Sequence, residues 1–273
     1  MQARPVMTRQ IERNVSFMDA MKKRQTIKLV LLVIFGIVLG CVAYEGIMFG
    51  RVSRLRDQNP TSTSMMETRA QEARSRGADA AHEQVWVPLE KISPNLQRAV
   101  LAGEDTNFAT HHGFDYQAIQ KAWERAQQDA QKEAKKEGDD DPGWIPDTTA
   151  FKRGASTITQ QLAKNLYLSS QRSFVRKGQE AVLTIFLERQ LSKRRILELY
   201  LNVIEWGDGI YGAEAASLNY FHKPAASLAP NEAAFLSAMI PNPRTVLNPQ
   251  LNPRRVARRQ RIIMRGMPYV KLP

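Results

Sequence analysis

Two adjacent carboxylates, Glu104 and Asp105, open a short segment that also holds His111, His112 and a further acid, Asp115. Acids and imidazoles this close in sequence suit proton transfer, with one group taking the proton and others orienting it. The element leading into Glu104 sets it apart. Ser93-Pro94 reads as a helix start, with Ser as N-cap and Pro at the first helical position, where its missing N–H costs nothing. From there Leu96, Val100 and Glu104 share a face with Ala99 and Gly103, while Asp105 points elsewhere. A carboxylate that ends an apolar stripe is partly withdrawn from water, which raises its pKa toward the range useful to a general base or acid. Periodicity alone leaves a second reading open, a structural Glu at a frayed helix end, because structural carboxylates outnumber catalytic ones.

Further chemistry lies downstream. Arg153-Gly154-Ala155-Ser156 leads into a helix with Ser156 as candidate N-cap, on which Thr157, Gln160, Gln161 and Lys164 form one polar stripe and Ile158 and Leu162 lie on another side. Two amides, a hydroxyl and an ammonium in a row suit a cleft for sugar hydroxyls and phosphate, and equally an exposed helix face. Residues 176–190 are again helical, with Ala181, Ile185 and Phe186 expected inward and Glu180, Thr184 and Glu188 sharing a face. Ile196, Leu197, Tyr200 and Leu201 mark another helix, which Gly207, Gly209 and Gly212 break into a turn. Residues 214–221 and 230–239 follow as shorter helical runs. Residues 254–265 form a very basic helix with Val256, Ile262 and Ile263 as its apolar face. Strand signals are few, so the expected domain is mainly α with at most a short hairpin.

These helices need a setting. The chain has 273 residues, enough for one sizeable core with appendages, and 39 Lys+Arg against 27 Asp+Glu give a net charge of +12 that favours an anionic partner. The one cysteine, Cys41, excludes an intrachain disulfide and a Cys-rich zinc site. Ile27 to Phe49 is apolar apart from Lys28 and Glu45 near its ends and exceeds the roughly 20 residues a spanning helix needs. It is longer than a signal-peptide core and no small-residue cleavage site follows, so a retained transmembrane helix is expected over 27–49. Lys22, Lys23, Arg24 and Lys28 precede the span and Arg51, Arg54 and Arg56 follow it. This slight bias puts residues 1–26 in the cytoplasm as a tail and the rest outside it. That orientation argues against nucleic acid and toward lipid head groups or a lipid-linked phosphate. Residues 50–84 read as a stalk or membrane-proximal segment, and the folded domain is drawn over 85–268. Asp115 can cap a helix carrying Ile119, Ala122, Trp123 and Ala126, and its polar continuation through 127–151 reads as a mobile insertion, a flap or a solvated linker.

Taken together, these segments resemble the motifs of the peptidoglycan glycosyltransferases (family 51). Glu104-Asp105-x-x-Phe108-x-x-His111-x-Gly113-x-Asp115 is similar to the first motif and Gly154-Ala155-Ser156-Thr157-Ile158-Thr159-Gln160-Gln161-Leu162-x-Lys164-Asn165 to the second. Arg176-Lys177-x-x-Glu180, with Glu188 and Ser192-Lys193-x-x-Ile196-Leu197-Glu198, is similar to the third. Tyr200-Leu201-Asn202, Trp206-Gly207, Tyr211-Gly212 and Tyr220-Phe221 match the block that follows. The resemblance covers residues 85 to 265 and outweighs the structural reading of Glu104. Ala155 departs from it where a second Gly is usual, as does the long charged segment after Asp115.

The resemblance implies a lysozyme-like helical domain behind one N-terminal transmembrane helix in the cell inner membrane, with the domain periplasmic. The implied reaction polymerises lipid II, transferring lipid-linked MurNAc with inversion to the 4-hydroxyl of GlcNAc and releasing undecaprenyl pyrophosphate. The monofunctional type is the nearest, because no S-x-x-K or K-T-G stands in the sequence and no transpeptidase activity is expected. Glu104 is implied as general base and Glu180 as second carboxylate at the donor end. Lys164 and Arg172 are implied to neutralise the pyrophosphate, and Ser156, Gln160 and Gln161 to contact donor sugar or phosphate. Arg176 and Lys177 are implied as substrate contacts or helix-positioning charges, and Asp105, His111 and Asp115 as supports of the site. No cofactor is required by the sequence. The resemblance admits a divalent cation, Mg or Mn, for which no ligand spacing is readable. Partners implied are lipid II, the growing lipid-linked strand, the membrane and other cell-wall synthesis or division proteins, with no nucleic acid. Two rivals stand: a lysozyme-like glycan hydrolase, which has no need of Lys164 and Arg172, and a non-catalytic membrane-anchored scaffold, which has no need of the motif carboxylates.

Overall fold

The computed structural model describes residues 5–137, 156–168 and 173–273. The chain divides into two compact units, Met1–Arg51 and Val52–Pro273. The first consists of most of helix α1 (Pro5–Arg54), in which Ile27–Arg54 is long and apolar enough to cross a membrane, with mean hydropathy 2.6 over its most apolar window. Its Leu, Val, Ile and Phe side chains between Leu29 and Leu39 face outward with nothing of the protein over them. In water that exposure is unfavourable by about 25 cal/mol per Å2, and in hydrocarbon it costs nothing.

The second unit is helical. Helix α3 (Pro94–Glu104) packs on α9 (Pro230–Met239) and α10 (Pro253–Gly266), while α5 (Ile158–Tyr167) packs on α6 (Phe174–Gln190) and α7 (Lys193–Val203). Leu96, Ala99, Val100 and Leu101 are fully buried on α3, as are Ile158, Leu162 and Ala163 on α5. Ser93 accepts the Asn95 N–H as the cap of α3, as its sequence predicts. Helices α2 (Ser64–Ser75), α4 (Tyr116–Glu137) and α8 (Ala213–Phe221) complete the described α-helices. Sheet content is one small three-stranded sheet in the order β1 (Glu83–Gln84), β3 (Ile210–Tyr211), β2 (Glu205–Gly207), parallel for β1–β3 and an antiparallel hairpin for β2–β3.

Residues ahead of 85 contribute to this unit. Helix α2 (Ser64–Ser75), capped by Thr63, packs against α5 and buries Met66, and β1 pairs with β3. The family of contacts on α6 also differs from the sequence expectation. Glu180, Leu183, Thr184 and Leu187 are its buried residues, whereas Ile185 is 41% exposed, because α6 turns its Glu180–Thr184 face inward. On α10 the buried residues are Val256 and Ile263, and Ile262 is 62% exposed. The latter part of the 127–151 insertion and Gly154, Ala155 and Arg172 lie outside the described residues.

Two glycines let the halves meet. A Cβ on Gly103 would lie 2.9 Å from Ser237 Oγ and 3.1 Å from Ile263 Cδ1, so its absence allows α9 and α10 to close on the end of α3. Gly113 adopts φ +88° and its carbonyl accepts the Thr157 hydroxyl at 2.7 Å, tying the loop after α3 to the start of α5. A Cβ there would meet Thr184 Cγ2 at 2.7 Å. Left-handed backbone and steric overlap act together, so Gly113→Ala should destabilise the unit by ~1–3 kcal/mol. Thermal unfolding of the detergent-solubilised protein checks this; a midpoint equal to that of the unaltered chain would contradict it.

Candidate active site

Glu104 is the last residue of α3, and its side chain is 8% exposed. Three elements converge on it. From α5, Gln161 donates Nε2–H to Oε2 at 2.8 Å; from α10, Arg259 donates to Oε1 at 2.6 Å and to the Gly103 carbonyl at 2.9 Å. From α7, the Tyr200 hydroxyl donates to Gln161 Oε1 at 2.8 Å, which fixes the amide so that its NH2 faces Glu104. Burial raises the Glu104 pKa, and this outweighs the opposing pull of Arg259, Gln161 and Lys164. Burial also pushes the Tyr200 hydroxyl well up, with the charges of Glu104 and Asp105 adding to it, so Tyr200 stays a neutral donor.

Asp105, at the C-cap of α3, faces the other way. Its Oδ2 accepts the Ile158 N–H at 2.9 Å, so a carboxylate sits at the N-terminus of α5, where helix dipole and unpaired N–H groups favour it. His111 Nε2 lies 2.8 Å from Asp105 Oδ1, and His111 Nδ1 accepts the Gly113 N–H at 3.2 Å. That second bond places the imidazole proton on Nε2, donating to Asp105. Asp115 accepts from the Ala118 N–H at 2.8 Å and from Asn107 at 2.9 Å at the start of α4. Burial acts to raise Asp115, but these donors and His111 outweigh it and hold the carboxyl low. Asp105, His111 and Asp115 are thus turned into the architecture of this loop.

Helix α5 supplies the floor of the site. Thr157, not Ser156, is its N-cap: Thr157 Oγ1 accepts from Gln160 N–H, and Gln160 Oε1 accepts from Thr157 N–H at 2.9 Å, a reciprocal capping box. Ser156 is left exposed at the rim. Burial lowers the Lys164 pKa, with the nearby charges of Arg176 and Lys177 adding to it, against the opposing pull of Glu180 and Glu104. Glu180, 4% exposed, accepts from Arg176 at 2.8 Å and from Lys177 one turn earlier on α6.

These side chains line one cleft of about 670 Å3, in which Glu104, Ser156, Gln160, Gln161, Lys164, Arg176, Lys177 and Glu180 all take part. Every residue expected to touch substrate is therefore gathered there except Arg172, which lies outside the described residues. Three residues to which the sequence reading gave no site role also belong to it, Gly103, Pro241 and Arg259. Arg259 was legible in principle, since it falls between Val256 and Ile263 at three- and four-residue spacing, an arginine on the buried stripe of α10. The Nε groups of Arg176 and Arg259 are buried with no hydrogen-bond partner among the described residues. Among the described residues no cluster of three or more His, Cys, Asp or Glu could hold a metal ion. Both oxygens of Glu180 and both of Glu104 already accept from protein donors.

The arrangement can do acid–base chemistry at one end, where a desolvated carboxylate waits, and can hold an anion along a cationic wall. Comparison with known proteins agrees. The family model described as Transglycosylase matches residues 70–138 and 144–268. The biosynthetic peptidoglycan transglycosylase of Thiobacillus denitrificans is 48% identical over 230 residues, which cover 84% of this chain and 90% of that protein. The protein of the same description from Azoarcus sp. is 47% identical over 197 residues, 72% of this chain and 77% of its own length. That from Chromobacterium violaceum is 41% identical over 241 residues, 88% and 97% respectively. The helical second unit is the lysozyme-like fold of such a domain. With a match over most of its length, and with the residues of the cleft inside that match, the chain belongs to the transglycosylase family.

Proposed function

We propose that this protein is a peptidoglycan glycosyltransferase that polymerises lipid II, the lipid-linked disaccharide precursor, at a membrane surface. The observation that carries the reading is one cleft lined by the carboxylates Glu104 and Glu180 together with the cations Lys164, Arg176 and Lys177. In the reaction the 4-hydroxyl oxygen of a GlcNAc acceptor attacks the anomeric carbon of the lipid-linked MurNAc. The bond from that carbon to the pyrophosphate oxygen breaks, the hydroxyl proton passes to Glu104 and the configuration inverts. The raised Glu104 pKa suits this transfer, because a base that holds its proton well takes it more readily from an alcohol.

The departing pyrophosphate needs positive charge held in place before the bond breaks, since preorganised charge costs no reorganisation at the moment of reaction. Lys164, Arg176 and Lys177 supply it in the cleft, with Arg172 as a further cation of the same segment. Glu180 holds Arg176 and Lys177 in position and is the donor-end carboxylate. Ser156, Gln160 and Gln161 offer hydroxyl and amide groups to sugar or phosphate. Asp105, His111 and Asp115 act through the loop they brace, and Arg259 acts through Glu104 as a positioning residue.

The apolar helix is compatible with a single-pass anchor. We place residues 1–26 in the cytoplasm and the catalytic unit in the periplasm, on the balance of Lys22, Lys23, Arg24 and Lys28 against Arg51, Arg54 and Arg56. The substrate would then be met by its lipid in the inner membrane and its sugars in the cleft.

Purified full-length protein given lipid II tests the reading. Glu104→Gln keeps the size of the side chain but removes the base and one of its two acceptor oxygens, so glycan synthesis should fall by roughly 10²–10⁴-fold. A rate within a few-fold of the unaltered enzyme would refute the base assignment. The pH profile gives a second test. Activity needs Glu104 deprotonated, and Arg259 pulls its pKa down against burial. Arg259→Gln should therefore move the acid limb of kcat/KM to higher pH. A limb that stays in place or moves to lower pH contradicts the pairing.

A further inference from the structure

Tyr200 is fully buried on α7 and does not line the cleft. Its helix is held firmly. Leu197 and Leu201 are fully buried beside it, and Asn202 accepts from the Val87 N–H at 3.0 Å and donates to the Val87 carbonyl at 2.9 Å. The Tyr200 hydroxyl therefore meets α5 at a fixed point. There it donates to Gln161 Oε1 at 2.8 Å, the hydroxyl's one hydrogen bond among the described residues.

A glutamine amide can sit either way round, since exchanging its oxygen and NH2 hardly alters its shape. For Glu104 the two ways are opposites. As placed, Gln161 Nε2 donates to Glu104 Oε2 at 2.8 Å. Turned over, the amide oxygen would face the carboxylate, repelling its charged form and accepting from its protonated one. The choice is made on the far side of the amide. The Tyr200 proton is buried and needs an acceptor, and only the first orientation offers it one. We propose that Tyr200 is a positioning residue for the base: from behind the cleft, without touching substrate, its hydroxyl holds the Gln161 amide in the orientation that gives Glu104 a donor. The inference rests on the glycosyltransferase reading and deepens it, because it names a residue that governs the base of that same site.

The charged groups around this relay are Arg259 from α10, Lys164 from α5, Asp105 at the end of α3 and, in the same cleft, Arg176, Lys177 and Glu180 of α6. Helix α9 meets this end of α3 with the uncharged Ser237. All of these stay in place in Tyr200→Phe, which keeps the buried ring and removes one oxygen. Gln161 borders the cleft, where water can satisfy the amide oxygen so released, and the fold is retained.

The test is a carbon NMR titration of the Glu104 carboxyl in the full-length protein in detergent, for Tyr200→Phe, Gln161→Leu and the double variant. Loss of a donor to the charged form raises a carboxyl pKa, so Tyr200→Phe should move the midpoint up by about half to one pH unit. Gln161→Leu should raise it at least as far, and adding Tyr200→Phe to it should change nothing more, because the relay is already cut. With lipid II, Tyr200→Phe should move the acid limb of kcat/KM to higher pH and leave KM on the alkaline plateau unchanged. A midpoint that Tyr200→Phe does not move, or moves equally in the Gln161→Leu background, overturns the inference. In the unaltered protein the Gln161 NH2 protons should show stronger cross-relaxation to the Glu104 side chain than to the Tyr200 ring, and the reverse also overturns it. If the unaltered protein does not polymerise lipid II, the glycosyltransferase reading fails on that result alone, and the titration still decides whether Tyr200 governs Glu104.

Discussion

A carboxylate withdrawn from water at the end of an apolar helix must be given donors by the protein, and the site follows from that demand. Glu104 ends a face whose other members, Leu96 and Val100, are fully buried. Its charge is tolerated because Gln161 and Arg259 reach it from two other helices. Neither donor is enough to cancel the desolvation, so the proton affinity stays raised. The packing that forces this is local: Gly103 leaves room for α9 and α10 at that end of α3, which is what brings Arg259 into range.

The neighbouring Asp105 solves a different problem with the same chemistry. It satisfies the first N–H of α5 and takes the proton side of His111, so the base on α3 and the polar stripe on α5 keep a fixed separation. Thr157 adds a second tie through the Gly113 carbonyl, and Glu188 accepts from Thr159 at 2.5 Å and from Lys193 at 2.8 Å on the other side of α5. These ties all hold the start of α5, at Thr157, Ile158 and Thr159, and Gln160, Gln161 and Lys164 line the cleft.

Much of this was legible in the sequence where spacing and burial coincide. The stripe through Leu96, Val100 and Glu104 and the stripe through Gln160, Gln161 and Lys164 lie where helix periodicity puts them. The cap of α5 fell one residue later than expected, although Thr157-x-x-Gln160 already carries the capping-box pattern. Helix α6 buries Glu180 on the same side as Leu183 and Leu187, because Arg176 and Lys177 neutralise it, and leaves Ile185 at the surface. Helix α2 has no apolar stripe to read. It is held by Met66 and by the Arg69 pairs to Glu72 and Glu205, the latter from a residue far along the chain. The Arg259–Glu104 pair spans a similar distance in sequence, and no local pattern names the partner of a charge that far away.

The cationic cleft of the second unit is proposed to take a sugar carried on a lipid pyrophosphate. In that proposal the proton passes to Glu104, and the other residues of the cleft are assigned to binding, orientation or neutralisation. The most direct test of it is a titration of that carboxyl by carbon NMR in protein labelled at glutamate side chains, with the resonance assigned through Glu104→Gln. The account predicts a midpoint clearly above the ordinary glutamate value of about 4.3. A midpoint at or below that value would mean that water or Arg259 governs the group and would contradict the desolvated base on which the mechanism depends.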